Sequence, residues 1–194
     1  MSNKASNQIK SLISLNDFFI LTKARLSLSV VFSSLSGYFL APTIIDFQEI
    51  IFLSVGGFFL AGSSNAFNQI IEKDFDKKMQ RTKNRPIPTG RISLTHALFI
   101  SFFMLILGLI SLYVLNPITS MFGAISVFIY TCVYTPLKSI TPLSVFLGAI
   151  PGAIPFMLGW VTATNDFSIE PAILFMIQFF WQFPHFWAIA WMTN

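Results

Sequence analysis

With 54% apolar and only 10% charged residues in a chain of 194, and a mean hydropathy of +0.70, the composition lies far outside that of a soluble domain and describes an integral membrane protein. The net charge of +4 comes from segments between apolar runs; such loops mark topology and contact with anionic lipid, and no nucleic-acid motif accompanies them. A lone cysteine, Cys132, excludes a disulfide framework and a thiolate metal cluster, and within an apolar run it reads as a small buried hydrophobe.

Residues 1–17 form a polar amino-terminal stretch without the small-residue cleavage site of a signal peptide, so no cleaved targeting peptide is expected. Residues 18–194 read as one membrane domain. Six segments approach the roughly 20 apolar residues that cross a bilayer as a helix: 18–40, 49–71, 95–115, 118–136, 142–163 and 169–191. Pro and Gly punctuate the gaps, and an all-α bundle follows. Lys4, Lys10, Lys23 and Arg25, the seven bases from Lys73 to Arg91, and Lys138 all fall on one side of this six-span arrangement. The opposite connections carry Asp46, Glu49, Asp166 and Glu170 and no base. The positive-inside rule therefore places the amino terminus and the 72–94 and 137–141 loops in the cytoplasm.

The second span runs into Asn65-Ala-Phe-Asn68-Gln-Ile-Ile-Glu72-Lys-Asp74-Phe-Asp76, followed by Arg81, Lys83, Arg85 and Arg91. If the helix continues, Asn68, Glu72 and Asp76 recur every four residues on one face, with Asn65 a turn earlier and Asp74 pointing elsewhere. Carboxylates at that spacing equally describe a solvated helix end, paired with Lys73, Lys77 and Lys78. The joint pattern favours chemistry: hard oxygen donors suit Mg²⁺, which is commonly shared with substrate phosphates, and Arg81, Lys83 and Arg85 follow within reach of a diphosphate. His96, opening the third span, reads as an interfacial residue. Tyr134 and Lys138 close the fourth span, and alone they read as an interfacial aromatic and a snorkelling anchor. In the sixth span Gln178, Gln182 and His185 form a polar stripe among large aromatics. Such a stripe faces either a pocket for an acceptor or a partner helix.

These residues resemble a known family. The run Asn68-x3-Glu72-x3-Asp76-x2-Met79-x-Arg81-Thr82-x2-Arg85-Pro86-x-Pro88-x-Gly90-Arg91 is similar to the first aspartate-rich motif of the intramembrane UbiA-type prenyltransferases. Its form is that of their haem branch, the protohaem IX farnesyltransferases or haem O synthases. Tyr134-Thr-Pro-Leu-Lys138, the stretch 148–160 and the stretch 181–191 resemble that branch too, and the likeness runs from Thr22 across nearly the whole chain. It implies Mg²⁺-dependent transfer of a farnesyl group from farnesyl diphosphate to the vinyl group of haem b. Under it Asn68, Glu72 and Asp76 hold the metal and Arg81, Lys83, Arg85 and Lys138 hold the diphosphate. Tyr134 faces the allylic cation, and Gln178, Gln182 and His185 border the acceptor. The resemblance further implies a multi-pass membrane protein in contact with the lipid bilayer, and, as partners, haem A synthase or terminal-oxidase assembly. With no arginine-rich transit peptide before the first span, the bacterial cytoplasmic membrane is the simpler expectation.

Members of that family carry about nine spans in two similar halves, with a second acidic motif after the sixth. The present sequence stops at Met192-Thr193-Asn194, and is expected to be an amino-terminal part. It departs from the family pattern at Ala24, where proline is usual, and at Glu72, where many members have aspartate. Three other readings compete. One is a sibling prenyltransferase acting on a quinone precursor, another a non-catalytic haem-handling membrane protein. The third, a transporter, leaves three stacked oxygen ligands beside three bases unexplained.

Overall fold

Long apolar runs leave their backbone amides no partner in hydrocarbon except one another, and the chain resolves that constraint with helices throughout. The computed structural model describes residues 14–193, with no strand among them. In chain order the elements are α1 (Leu15–Thr22), α2 (Ala24–Leu40), α3 (Phe47–Ile71), the short α4 (Lys73–Lys78), α5 (Leu94–Leu115) and α6 (Pro117–Phe128). A π-helical turn (Ile129–Tyr134), the brief α7 (Thr135–Leu137), α8 (Ser144–Thr164) and α9 (Ile169–Thr193) complete it. Each of the six expected spans meets helix. Among the described residues four helices are long and apolar enough to cross a bilayer, and α1 with α2, bent by 54°, makes a fifth. The 25-residue α9 occupies the sixth position. Most of the polar stretch expected over 1–17 lies outside the described residues.

α3 packs against α2 and α5, α2 against α8, and α8 against both α9 and α6, so the helices enclose a central space. Apolar bulk faces outward. Phe32, Phe99, Tyr113, Trp181, Trp187 and Trp191 are exposed, while Ser27, Ser63, Asn65, Asn68, Gln69 and Thr119 are buried. With lipid as apolar as any core residue, helices here associate through close backbone approach and hydrogen bonds. Ser63 Oγ donates to the Ser101 carbonyl at 2.9 Å, and Ser111 Oγ to that of Phe52 at 2.8 Å, joining α3 to α5. Between α2 and α8 the contact is backbone on backbone: a Cβ on Gly37 would stand 1.9 Å from the Phe156 carbonyl oxygen, and one on Gly159 1.8 Å from that of Ser34.

The break between α1 and α2 is built at Lys23, whose φ of 46° and ψ of 55° lie in the left-handed region. A non-glycine residue seldom enters it unless its surroundings impose it. Carbonyls freed near the end of α1 find a partner in α3: Gln69 Nε2 donates to both Ile20 and Leu21, each at 2.9 Å. Cys132 differs from the sequence reading. It is exposed, because Thr131 is the residue of the π turn that faces the interior.

Candidate functional site

The site forms where α3 ends. Asn68, only 1% exposed, donates through Nδ2 to Thr135 Oγ1 at 3.2 Å, which turns its carbonyl oxygen to the other side. α3 stops at Ile71, and Glu72 (φ −90°, ψ 6°) bends the chain before α4 begins. The four-residue step expected for an unbroken helix nevertheless survives. The Glu72 amide bonds to the Asn68 carbonyl at 3.0 Å and the Asp76 amide to the Glu72 carbonyl at 2.8 Å. Asn68, Glu72 and Asp76 thus stay in file across a bend, and Asp74 points away, its one ion pair among the described residues a loose 4.0 Å contact with Lys77.

Each carboxylate of the file has a cationic partner. Arg85 Nη1 reaches both oxygens of the buried Asp76, at 3.0 and 2.8 Å. Lys138, from the short loop after α7, reaches Glu72 Oε1 at 2.5 Å. The 79–92 loop is drawn back over α4 by Thr82 Oγ1, which donates to the Asp76 carbonyl at 3.1 Å. Ile87 and Ile92 anchor it among Leu21, Ala66 and Ala97. Lys23 joins the cluster from the α1/α2 break: half-buried, it feels the charges of Arg85, Lys138, Glu72 and Asp76. Three bases against two carboxylates leave one positive charge in surplus, so the cluster is built to receive an anion. Arg81 and Lys83, expected to contribute, are exposed and carry no ion pair among the described residues.

A metal here would draw on Asn68, Glu72 and Asp76. No three His, Cys, Asp or Glu side chains converge as a cage among the described residues. Two carboxylates and one amide oxygen still fit an ion such as Mg²⁺, which takes one or two protein carboxylates and completes its shell with waters and substrate phosphates.

Behind the charges opens a cavity of about 420 Å³, bordered by Asn65, Tyr130, Tyr134, Gln178, Gln182 and His185 among others. The Tyr134 ring bridges the two zones. Lys138 Nζ stands 5.8 Å from its centroid, Tyr130 packs on it with ring centroids 5.4 Å apart, and a Cβ on Gly148 would come within 2.7 Å of it. The α9 stripe faces this cavity, and the Gln182 amide lies 3.0 Å from where a Gly152 Cβ would be. The stripe is thus open to a ligand and makes no interhelical hydrogen bond among the described residues. Trp181 and Trp187, which flank it in sequence, turn outward at 64% and 72% exposure. The cavity's aromatic surfaces come from Tyr130, Tyr134 and Phe186. His96 stays outside, exposed and hydrogen-bonded to Ser93 Oγ at 2.7 Å.

Lys23, Thr135 and Tyr130 are the residues the sequence reading did not place in the site. From sequence Lys23 reads as a topology-setting base beside Arg25, and no local signal marks it as part of the site.

A family model, the UbiA prenyltransferase family, matches residues 30–194. Among curated proteins, the protoheme IX farnesyltransferase of Christiangramia forsetii is 60% identical over 177 residues, covering 91% of this chain and 59% of that one. The protein of the same name from Flavobacterium psychrophilum is 62% identical, with 94% and 61% covered. The human mitochondrial protoheme IX farnesyltransferase is 38% identical, with 88% and 39% covered. The chain thus spans about 60% of the length of its bacterial relatives. Among solved structures, one concerned with digeranylgeranylglyceryl phosphate synthase aligns with a TM-score of 0.77 at 22% identity, covering 85% of this chain and 58% of that one. A UbiA homolog from Archaeoglobus fulgidus bound to DMAPP and Mg²⁺ aligns at 0.74 with 17% identity, covering 87% and 62%. At such identities the likeness establishes the fold.

Proposed function

The chain belongs to the UbiA prenyltransferase family, and from that membership we propose that it takes part in transferring a farnesyl group from farnesyl diphosphate to the vinyl group of haem b, making haem O. One observation carries the reading: a cation-rich cluster around two carboxylates adjoins, through the Tyr134 ring, an aromatic and amide-lined cavity inside a membrane bundle. A prenyl diphosphate has the same two-part character, and the names of the bacterial relatives supply the acceptor.

Asn68, Glu72 and Asp76 would hold Mg²⁺, which when bound neutralises charge on the diphosphate. Arg85 and Lys138, now paired to Asp76 and Glu72, are placed to exchange those partners for diphosphate oxygens, with Lys23 adding a third charge. Donors already in position cost no reorganisation as the allylic C–O bond breaks, which is where electrostatic catalysis is strongest. Tyr134, between cluster and cavity, presents an aromatic face to the allylic cation. Beyond it the apolar walls keep water from the cation, and Gln178, Gln182 and His185 border the acceptor. Arg81 and Lys83, exposed on the loop, serve capture of the diphosphate from the cytoplasmic side. The base-rich face is read as cytoplasmic and the membrane as the bacterial cytoplasmic one.

The test is Mg²⁺-dependent conversion of haem b in membranes carrying this chain, beside membranes carrying its complete reading frame. A product heavier by one farnesyl and one hydroxyl group, lost on Asp76→Asn, supports the proposal. A prenylated quinone precursor without farnesylated haem points to the sibling activity, and haem binding that survives Asp76→Asn without any product points to a non-catalytic carrier.

A further inference from the structure

We propose that Asn65 holds the water molecule that terminates the reaction, a role that rests on the haem-vinyl reading above and assigns that reaction's last step to a residue. Asn65 lies on α3 three residues before Asn68, hence about 4.5 Å deeper along the helix axis. That is the level at which the first carbon of a prenyl chain would lie if its diphosphate is held at Asn68, Glu72 and Asp76. The side chain is 4% exposed and borders the cavity together with Tyr130 and Tyr134.

Its amide orientation is fixed. Nδ2 donates to the Ala61 carbonyl at 3.0 Å, and a reversed amide would set oxygen against oxygen there. Oδ1 consequently lies on the side of the amide opposite the Ala61 carbonyl, buried and without a hydrogen-bond partner among the described residues. Two hydroxyls bordering the cavity are already committed: Ser64 Oγ donates to the Leu60 carbonyl at 2.9 Å, and Ser29 Oγ to that of Arg25 at 3.2 Å. An unpaired buried acceptor is costly and is found where a water or ligand supplies the donor. Tyr130 and Tyr134 border the same cavity, and their phenols are the groups that would supply the further polar partners a bound water requires.

The chemistry calls for a water at this level. The vinyl π electrons form the new bond to the first farnesyl carbon while the carbon–oxygen bond breaks and its electron pair leaves on the diphosphate. This moves the positive charge to the former vinyl carbon attached to the porphyrin ring, where conjugation stabilises it. That cation has two exits. It can lose a proton and become an alkene, or a water lone pair can attack it, the water's proton passing to an oxygen of the released diphosphate, and give an alcohol. A water hydrogen-bonded to Asn65 Oδ1 has its lone pairs free for the second exit.

The partition between the two exits is the readout, measured by mass on haem products from membranes carrying the complete reading frame. Unsubstituted protein is expected to give the hydroxylated product. Asn65→Leu, similar in shape and lacking the acceptor, should shift the ratio of alkene to alcohol by about tenfold, the worth of one well-placed hydrogen bond. Asn65→Asp, which keeps an acceptor, should retain the alcohol. An unchanged ratio in Asn65→Leu overturns the proposal, as does loss of all product in both variants. Loss in Asn65→Leu with alcohol retained in Asn65→Asp supports it. If the unsubstituted protein makes no farnesylated haem, the haem reading itself fails and this inference with it, a result distinct from an unchanged ratio.

Discussion

The α2/α8 seam and the charged end of α3 hold the same cavity by opposite means. Along the seam, Gly37 and Gly159 let backbone touch backbone, with no room for a methyl group. At the charged end, Arg85 and Lys138 reach Asp76 and Glu72 through long side chains from separate loops. A steric contact has one solution, whereas a buried cation can pass from one anion to another as long as an anion stays beside it. Rigidity is therefore concentrated where the wall must stay in place, and exchangeable partners where an anionic substrate must enter.

The comparison is sharpest under substitutions that separate turnover from stability. Asp76→Asn should lower turnover of the folded protein by about 10³-fold, a loss larger than its cost in stability, which is held to about 3 kcal/mol or less because the amide keeps a hydrogen bond for Arg85. A large drop in Tm with turnover of the folded fraction intact would erase the contrast. Gly159→Ala should do the reverse, costing about 3 kcal/mol because two helix backbones must separate. Parallel Tm and activity measurements would show turnover falling only with the folded population. Gly152→Ala tests the boundary between the regimes, since the group it meets is the flexible Gln182 amide at 3.0 Å. Stability should change by less than about 1 kcal/mol while the acceptor KM rises; an unchanged KM would remove Gln182 from the acceptor wall. Thr135→Val, which deprives Asn68 Nδ2 of its acceptor, should be smallest, about 1 kcal/mol in stability with a modest loss of turnover.

Much of this was legible in the sequence, because the bilayer allows few solutions. Apolar run length located the helices, and the four-residue recurrence of Asn68, Glu72 and Asp76 located the file of oxygen donors. The Gln178, Gln182 and His185 stripe stood out because intramembrane polar groups are costly unless they face a cavity or a partner helix, and the sequence left those two open; the structure puts the three beside the cavity. What remained hidden depends on tertiary placement. Nothing local announces that Lys23 adopts a left-handed conformation, which the contacts of Gln69 with the end of α1 help to hold. The pairing of Lys138 with Glu72 spans much of the chain and rests on where α7 docks. The outward turn of Trp181 and Trp187 also escaped the pattern, because aromatic residues beside a polar stripe fit a lipid-facing surface as readily as a pocket.

The π turn at Ile129–Tyr134 bears on how this helix tolerates insertion and deletion. Within it the Thr135 amide bonds five residues back to the Tyr130 carbonyl, and Thr135 Oγ1 reaches the same oxygen at 2.8 Å. A π turn holds one residue more than the α-helix around it. Deleting one of these positions would let the backbone relax into continuous α-helix with its hydrogen bonds intact and little net rotation downstream, whereas a deletion in the regular helix before it, Pro117–Phe128, would turn everything downstream by about 100° about the axis. In the second case Thr135 would lose Asn68 and Lys138 would swing away from Glu72. The π turn is thus the one stretch of this helix that absorbs a change of residue count without silencing the chemistry.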